Sequence, residues 1–360
     1  MITLEFIKKL PKVDLHVHLD GSLRMETVLE LSQELPSRKG GGKKFSPAEI
    51  KKSLQPGKKY RSLVDYLKNF EITLAVLQTR EALMRVAYEL ADDCAAEQVK
   101  YVEVRYSPLL HTRGELKLPE IVESVNAGLK KAERDFGIRT GIILCGIRHI
   151  TPRSSYQLAK LAVDYKHQGV VGFDLAGAEK DFPAKNHRAA FNLIINENIN
   201  STVHAGEAFG PGSIAQALHY CGAHRIGHGV RLREDAELLN YVTDHRIPLE
   251  ICLSSNLQTG VVKRLSEHPF KYYYEYGVRV TLNTDNRLIS NTTVSKELFL
   301  ACRHFNLSLI ALRDILINGF KSAFLPYNDK VRLLKSSLAE IDYLITREFP
   351  DNVAPVKVHM

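Results

Sequence analysis

The sequence predicts an α/β fold, a (β/α)8 or TIM barrel, with a helical insertion after the first strand. Eight segments with the residue pattern of a β-strand recur along the 360 residues, and segments with helical spacing separate them. Ionisable residues follow the ends of several of these segments, and in such barrels the carboxyl ends of the strands carry the chemistry. A doubly wound open sheet shares the alternation, but no glycine-rich dinucleotide loop follows the first predicted strand.

The chain is predicted to form a single domain over residues 1–360. Its length fits one large barrel with an insertion, and no stretch rich in proline, glycine or serine divides the pattern.

The first predicted strand, residues 13–20, places two histidines on one face. Apolar and polar residues alternate there with a period of two, so His16 and His18 point to the same side. Two imidazoles that face a closed interior together can bind one metal ion. Either histidine taken alone is also compatible with a satisfied core residue.

A helical pattern over residues 25–35 leads into a strongly basic segment. Residues 36–61 contain nine Lys or Arg and a single acid, Glu49, together with three consecutive glycines at 40–42. We predict a basic loop or lid insertion within the barrel. A solvated segment is favoured over a nucleic-acid site, because aromatic residues do not alternate with the basic ones.

The rest of the chain alternates regularly between predicted helices and strands. Amphipathic helices are expected between residues 63 and 91, and a helical tail begins at residue 308. The other predicted helices are 119–136, 154–166, 186–197, 213–221 and 234–244, and the other predicted strands are 101–107, 139–148, 170–177, 202–207, 225–229, 248–255 and 279–285.

Composition places the chain among ordinary globular proteins. It is 44% hydrophobic and 25% charged, with a net charge of +8, and it has neither an apolar run of transmembrane length nor a charged and then apolar leader. We therefore expect a cytoplasmic protein that does not bind membranes. Its five cysteines are scattered and odd in number, which predicts reduced core residues rather than disulfides or a CxxC metal site.

Four candidate metal ligands lie at predicted strand ends. They are His16 and His18 on the first strand, His204 on the fifth and Asp285 on the eighth. Three histidines and one aspartate form a nitrogen and oxygen site that suits zinc and leaves a position for water. Water on such an ion is deprotonated near neutral pH and becomes a nucleophile.

Two further residues are candidates for proton transfer and orientation. Glu207 lies three residues beyond His204, close enough to reach the same pocket as a proton donor or acceptor. His228 lies between Gly227 and Gly229, where it could orient the attacking hydroxide. A structural histidine packed between two glycines is the alternative.

The ordered set of motifs resembles the adenosine deaminase family. A single HxH motif is weak evidence, but the full series occurs in the family's order and covers most of the chain, to about residue 326. The motifs are His16-Val17-His18-Leu19-Asp20-Gly21-Ser22, Ser107-Pro108, Asp174-Leu175-Ala176-Gly177, His204-Ala205-Gly206-Glu207, Ile226-Gly227-His228-Gly229 and Leu282-Asn283-Thr284-Asp285.

The resemblance implies zinc-dependent hydrolytic deamination of adenosine and 2'-deoxyadenosine to inosine and 2'-deoxyinosine, with release of ammonia, in purine salvage. It implies one Zn²⁺ per chain, held by the four candidate ligands named above. By similarity, Glu207 protonates the purine N1, and His228 and Asp285 direct the hydroxide onto C6.

The resemblance also implies substrate contacts. Asp20 would contact the ribose 5'-hydroxyl, the backbone N–H of Gly177 would contact the purine N3, and His18 would lie beside the substrate. Better-known family members carry a second acid after the metal aspartate, where this chain has Asn286. Because N7 only accepts hydrogen bonds, an asparagine amide can still donate to it at any pH.

Several alternatives remain open. The chain could deaminate adenine or another adenine nucleoside, although such relatives tend to carry glutamate at the position of Asp20, and the shorter acid favours a nucleoside. It could be another mononuclear metal amidohydrolase. A nucleotide deaminase would need a phosphate cradle, and the basic segment is poorly preorganised for that task.

A non-catalytic binding protein is disfavoured, because a site without catalytic activity would not need both Glu207 and His228. We expect a small-molecule purine nucleoside as the partner, no nucleic acid or membrane, and a monomer or weak homo-oligomer.

Overall fold

A computed structural model describes residues 1–34, 46–54, 59–60 and 62–350 of the chain. Its centre is one sheet of eight parallel strands, each paired with its neighbour in chain order. Val17 pairs with Asp285, which follows the last strand, and this bridge joins the two edges of the sheet. The predicted (β/α)8 barrel is therefore confirmed. The strands are β1 Lys12–His18, β2 Val99–Tyr106, β3 Arg139–Ile147, β4 Val170–Ala176, β5 Asn200–Ala205, β6 Arg225–His228, β7 Leu249–Ile251 and β8 Val280–Leu282.

Helices surround the barrel, and helices also occur among the described residues between β1 and β2, as predicted. Among the described residues, α1 to α6 are Leu4–Lys9, Met25–Glu34, Pro47–Ser53, Leu63–Leu67, Phe70–Val76 and Arg80–Ala96. Helices α7 to α11 are Leu118–Phe136, Pro152–Asp164, Arg188–Asn196, Pro211–His219 and Ala236–Asp244. Helices α12 to α17 are Leu253–Gln258, Phe270–Tyr276, Arg287–Ser290, Val294–Phe305, Leu309–Ser322 and Tyr327–Glu348.

Local sequence explains where several helices begin and end. Thr79 caps α6 by accepting a hydrogen bond from the backbone N–H of Ala82, and Gly137 ends α7 in the left-handed conformation, with φ of 71°. Helices α6 to α10 and α16 pack on the strands through apolar residues, so much of the core forms a shell between sheet and helices.

The barrel interior also contains buried charge. Arg105 of β2 lies 3.1 Å from Asp174 of β4 and 2.9 Å from Glu250 of β7, and all three side chains are fully buried. Arg225 of β6 pairs with Glu250 at 2.5 Å and with Glu103 of β2. Because a buried charge is costly unless it is paired, this network ties strands on opposite sides of the barrel together.

The seventh strand is shorter than predicted. Residues 253–255 were expected to end the seventh strand, but they begin α12, so β7 spans only Leu249–Ile251.

Of the basic segment 36–61, only residues 46–54, 59 and 60 are described. They include α3, which begins at a capping box formed by Ser46 and Glu49. The rest lies outside the described residues, so its role as a loop or lid stays a prediction.

The cysteine prediction is confirmed, because all five cysteines are free and buried. Among the described residues, no helix combines the length and the apolar character needed to cross a membrane.

Candidate metal centre and active site

The four predicted metal ligands converge at the carboxyl end of the barrel. Their ligand atoms, from His16, His18, His204 and Asp285, all lie within 4.8 Å of one another. His18 Nε2 is 3.2 Å from His204 Nε2 and 3.4 Å from Asp285 Oδ1. Strand order explains the convergence, since β1 adjoins the end of β8 and β5 lies across the barrel.

The outer ring nitrogens of two of these histidines are held by carboxylates. His16 Nδ1 is 2.8 Å from Glu250 Oε2, and His204 Nδ1 is 3.0 Å from Asp174 Oδ2. Such contacts place the proton on Nδ1 and leave Nε2 as a lone pair. Among the described residues, the buried Nε2 of His16 has no hydrogen-bond partner. The donor set therefore fits one divalent cation.

Electrostatics favour the ligand forms of His18 and Asp285. Burial lowers the pKa of His18 well below its usual range, and the neutral imidazole is the form that binds a metal. Burial by itself raises the pKa of Asp285, but the close approach of His16 Nε2, 3.6 Å from Asp285 Oδ1, and of the neighbouring imidazoles outweighs it, so the pKa falls below the usual range. The carboxyl group is therefore ionised.

The backbone holds Asp285 in a strained conformation. Its φ is 59°, in the left-handed region that a side chain disfavours. Backbone hydrogen bonds to β1 fix it on both sides, from Asp285 N to His16 O at 2.8 Å and from His18 N to Asp285 O at 2.7 Å. The Ser255 hydroxyl donates to Asp285 Oδ2 at 2.5 Å, which leaves Oδ1 toward the histidines.

A cavity of about 190 Å³ lies beside the metal centre. Much of its apolar wall comes from the helical insertion, through Leu63, Leu67, Phe70 and Leu74, so α4 and α5 cover part of the carboxyl end of the barrel. Its polar lining includes His18, Asp20, His204, Glu207, His228, Asp285 and Asn286.

Glu207 and His228 lie together on the cavity wall. His228 Nε2 is 3.6 Å from Glu207 Oε2, and the Thr259 hydroxyl donates to Glu207 Oε1 at 3.2 Å. Burial, reinforced by Asp285 and Glu179, raises the pKa of Glu207 well above its usual value. Burial therefore favours the protonated form of this carboxyl group.

The predicted substrate-binding residues line the same cavity. Asp20 is 4% exposed, its Oδ1 has no partner among the described residues, and burial raises its pKa to about 7. Gly177 has φ of 94°, and a Cβ there would come within 3.1 Å of His149. The backbone at Gly177 therefore requires glycine.

Asn286 depends on a glycine in the first motif. A Cβ on Gly21 would lie 1.8 Å from Asn286 Oδ1, so only glycine allows the amide to occupy its position. Asn286 is 2% exposed, and its Oδ1 has no hydrogen-bond partner among the described residues.

Glu179 was not predicted from the sequence. Its carboxylate accepts hydrogen bonds of 2.5–3.0 Å from the four consecutive backbone N–H groups of residues 206–209, the loop that carries Glu207. An acid two residues after Gly177, in the loop that follows β4, was the available signal. Asp174 and Glu250 were also missed as partners of the histidine ligands, although each interrupts an apolar strand.

Comparison with known proteins agrees with this geometry. Residues 11–340 match the family described as adenosine deaminase. The chain is 43% identical over 351 residues to adenosine deaminase 1 of Streptomyces coelicolor, covering 91% of this chain and 86% of that protein. It is 41% identical over 340 residues to the probable adenosine deaminase of Dictyostelium discoideum, covering 93% of this chain but only 43% of that protein's length.

A solved structure is similar over nearly the whole fold. The crystal structure of the N6-mAMP deaminase of Arabidopsis superposes with a TM-score of 0.83 at 29% sequence identity, covering 93% of this chain and 99% of that one.

Proposed function

Because the chain belongs to the adenosine deaminase family, we propose that it catalyses the zinc-dependent hydrolytic deamination of adenosine and 2'-deoxyadenosine. The products are inosine or 2'-deoxyinosine and ammonia. One observation carries the proposal: three imidazoles and a carboxylate converge beside a cavity into which a buried glutamate with a raised pKa also projects.

His16, His18, His204 and Asp285 would hold the ion. When bound, zinc lowers the pKa of water and so supplies a nucleophile at neutral pH. His16 and His204 keep their Nε2 lone pairs toward this position because their Nδ1 atoms face carboxylates.

Glu207 acts as the general acid. Its raised pKa favours the protonated carboxyl group, which can donate to the purine N1 and make C6 electrophilic. His228 and Asp285 orient the attack on C6 from the side of the metal ligands. The attacking water gives up two protons in all: one restores Glu207, and the other passes to the amino group. The C6–N bond then breaks, ammonia leaves, and C6 keeps the oxygen as a carbonyl.

The remaining cavity residues hold the nucleoside. The partnerless oxygen of Asp20 accepts a hydrogen bond from the ribose 5'-hydroxyl, and the Gly177 N–H donates to N3. Asn286 donates to N7 through its amide, and His18 lies beside the substrate as well as on the metal.

The similarity to an N6-mAMP deaminase makes a nucleotide the second candidate substrate. Asp20 argues against it, because a buried carboxyl group offers none of the positive charge that a site for a 5'-phosphate needs. Turnover of adenosine, adenine and adenosine monophosphate, measured side by side, distinguishes the candidates, and faster turnover of the nucleotide or the free base would overturn the choice of adenosine.

Glu207→Gln tests the mechanism. We expect the variant to bind as much zinc as wild type but to lose about 10²–10⁴-fold in kcat, because the amide cannot give a proton to N1. An ultraviolet assay of adenosine consumption, with and without a chelator, provides the measurement. The exposed Glu237→Gln on α11 is the matched control. Full activity in Glu207→Gln would reject Glu207 as the acid, and activity that survives complete removal of the metal would reject the metal's role.

The wider setting is part of the same proposal. We place the enzyme in purine salvage in the cytoplasm, as a monomer or weak homo-oligomer that acts on free nucleosides rather than nucleic acid.

A further inference from the structure

His228 contacts the cavity through Nε2, and two buried side chains hold its other ring nitrogen. The side-chain amide nitrogen of Asn256 is 3.1 Å from His228 Nδ1, and Asn256 Oδ1 is 3.2 Å from His268 Nε2. The chain of contacts ends at the backbone, where the Phe270 N–H donates to His268 Nδ1 at 3.0 Å.

The Phe270 backbone N–H sets the direction of every hydrogen bond in this series. A backbone amide can only donate, so His268 Nδ1 must be the acceptor, and the ring proton lies on Nε2. His268 Nε2–H then donates to Asn256 Oδ1, which turns the amide nitrogen of Asn256 toward His228. If Asn256 were flipped, His268 would need its proton on Nδ1, where it would face the Phe270 N–H.

The surroundings of Asn256 and His268 maintain these hydrogen-bond directions. Asn256 is fully buried and His268 is 4% exposed. Burial, with a smaller contribution from Arg233, lowers the pKa of His268 to about 3, so the ring stays neutral and keeps one acceptor nitrogen. Asn256 is fixed by its own backbone, through hydrogen bonds to Cys252 O at 2.9 Å and from the Val262 N–H at 3.2 Å.

We propose that Asn256 and His268 are positioning residues that fix His228 as the Nε2–H tautomer, so that an N–H donor rather than a lone pair faces the substrate cavity. This inference rests on the proposed function, in which His228 orients the attack on C6. It adds that His228 does so by donating a hydrogen bond, and that it cannot take a proton from the attacking water through Nε2.

The tautomer can be measured without any turnover. In the zinc-loaded enzyme with ¹⁵N-labelled histidine, a protonated ring nitrogen and an unprotonated one have well-separated ¹⁵N chemical shifts, and His228→Gln identifies the signals to assign. We expect a protonated Nε2 and an unprotonated Nδ1 for His228. The reverse pattern overturns the proposal, and it does so whether or not the enzyme deaminates adenosine.

Asn256→Asp reverses the last hydrogen bond with almost no change in shape. A carboxylate only accepts, so His228 must then carry a proton on Nδ1. We expect the ¹⁵N spectrum to show that proton and kcat to fall by about 10²-fold or more, with KM changed by less than about threefold. An unchanged kcat in a variant whose spectrum shows the new Nδ1 proton would overturn the catalytic importance of the tautomer.

His268→Met tests the same chain without adding charge. Methionine cannot donate a hydrogen bond to Asn256 Oδ1, so the Asn256 amide can take either orientation. We therefore expect signals from both tautomers of His228 and a smaller loss of kcat, on the order of 10-fold. His187→Met is the matched control, because it also removes a buried histidine, one bonded to Ser155 and Arg148. It should leave the His228 signals unchanged, and a single unchanged tautomer in His268→Met would overturn the role of His268.

Discussion

At the scale of single residues, His228 shares with Asp285 a backbone conformation that most side chains avoid. Their φ angles are 64° and 59°; His228 is the last residue of β6, and Asp285 follows β8. Such strain persists only where the surroundings determine the conformation, and it concentrates at functional sites. The sequence placed both residues at strand ends, but a strained φ at a histidine or an aspartate leaves no pattern in the sequence.

Asn286 provides a test of base recognition. We expect Asn286→Ala to reduce kcat/KM by an amount equivalent to about 1–3 kcal/mol, because the N7 acceptor of the purine loses its donor. Steady-state kinetics with adenosine measure the loss, and the exposed Asn240→Ala on α11 is the control. Kinetics equal to wild type would show that Asn286 does not touch the base.

His111 gives a pH dependence that is independent of the active site. It is fully buried, with Nδ1 donating to Leu77 O at 2.9 Å, and burial lowers its pKa from 6.5 to about 4. Below pH 6.5 the unfolded chain takes up a proton on this residue and the folded protein does not, so stability falls until the pH reaches about 4.

The expected loss follows from the difference between the two pKa values and amounts to about 3 kcal/mol. Urea unfolding at several pH values, for wild type and His111→Gln, measures it. The difference between the two proteins in free energy of unfolding should change over this interval. A constant difference would show that His111 titrates normally in the folded protein.

At the scale of elements, the loop after β4 supports the loop after β5. Four consecutive N–H groups at residues 206–209 donate to the Glu179 carboxylate, and Glu207 is one of the residues so held. The negative charge that Glu179 adds nearby also contributes to the raised pKa of Glu207. One side chain therefore positions the proposed acid and adjusts its proton affinity.

Glu179→Gln should weaken this loop. An amide offers one oxygen where two accepted before, and its NH₂ group would face backbone donors, so we expect a loss of about 1–3 kcal/mol in stability. We also expect kcat to fall, and the pH profile of kcat to shift downward because the negative charge near Glu207 is gone. Thermal unfolding and pH-dependent kinetics measure both effects, with Glu237→Gln as the control. An unchanged pH profile of kcat would show that Glu179 does not affect the pKa of Glu207.

The sequence predicted the helical insertion but not its contribution to the cavity. The sequence indicated an insertion after the first strand, and α4 and α5 indeed supply much of the apolar wall of the cavity. The basic segment 36–61 was the predicted lid, yet this part of the wall comes from residues beyond it, at 63–74. Charge made the basic segment conspicuous in the sequence, whereas the apolar residues of α4 and α5 looked like ordinary helix faces.

At the scale of the whole molecule, the metal centre joins distant parts of the barrel. Its proposed ligands come from β1, from β5 and from the residue that follows the β8 segment. An ion that binds only the folded state stabilises it, by about 2.7 kcal/mol when its free concentration is 100-fold above Kd.

Removal of the metal should therefore lower the melting temperature. We expect a chelator to lower the Tm of wild type and zinc to restore it, and we expect neither to change the Tm of His16→Ala, which lacks one ligand. Calorimetry with and without chelator measures the shift. A wild-type Tm that does not respond to the chelator would contradict a metal bound by these strands.

The sequence by itself determined the fold class, the family and the set of candidate ligand residues, because periodicity and ordered motifs are local and can be recognised without coordinates. Fold class and family are confirmed, and the four ligands do converge, while the roles of individual side chains stay predictions. The tertiary structure alone decided which groups support the site. His16 meets Glu250 across 234 positions of the chain, and Glu179 meets Gly206 across 27. Such contacts depend on how the strands close into a barrel, so the sequence of either partner contains no sign of the other.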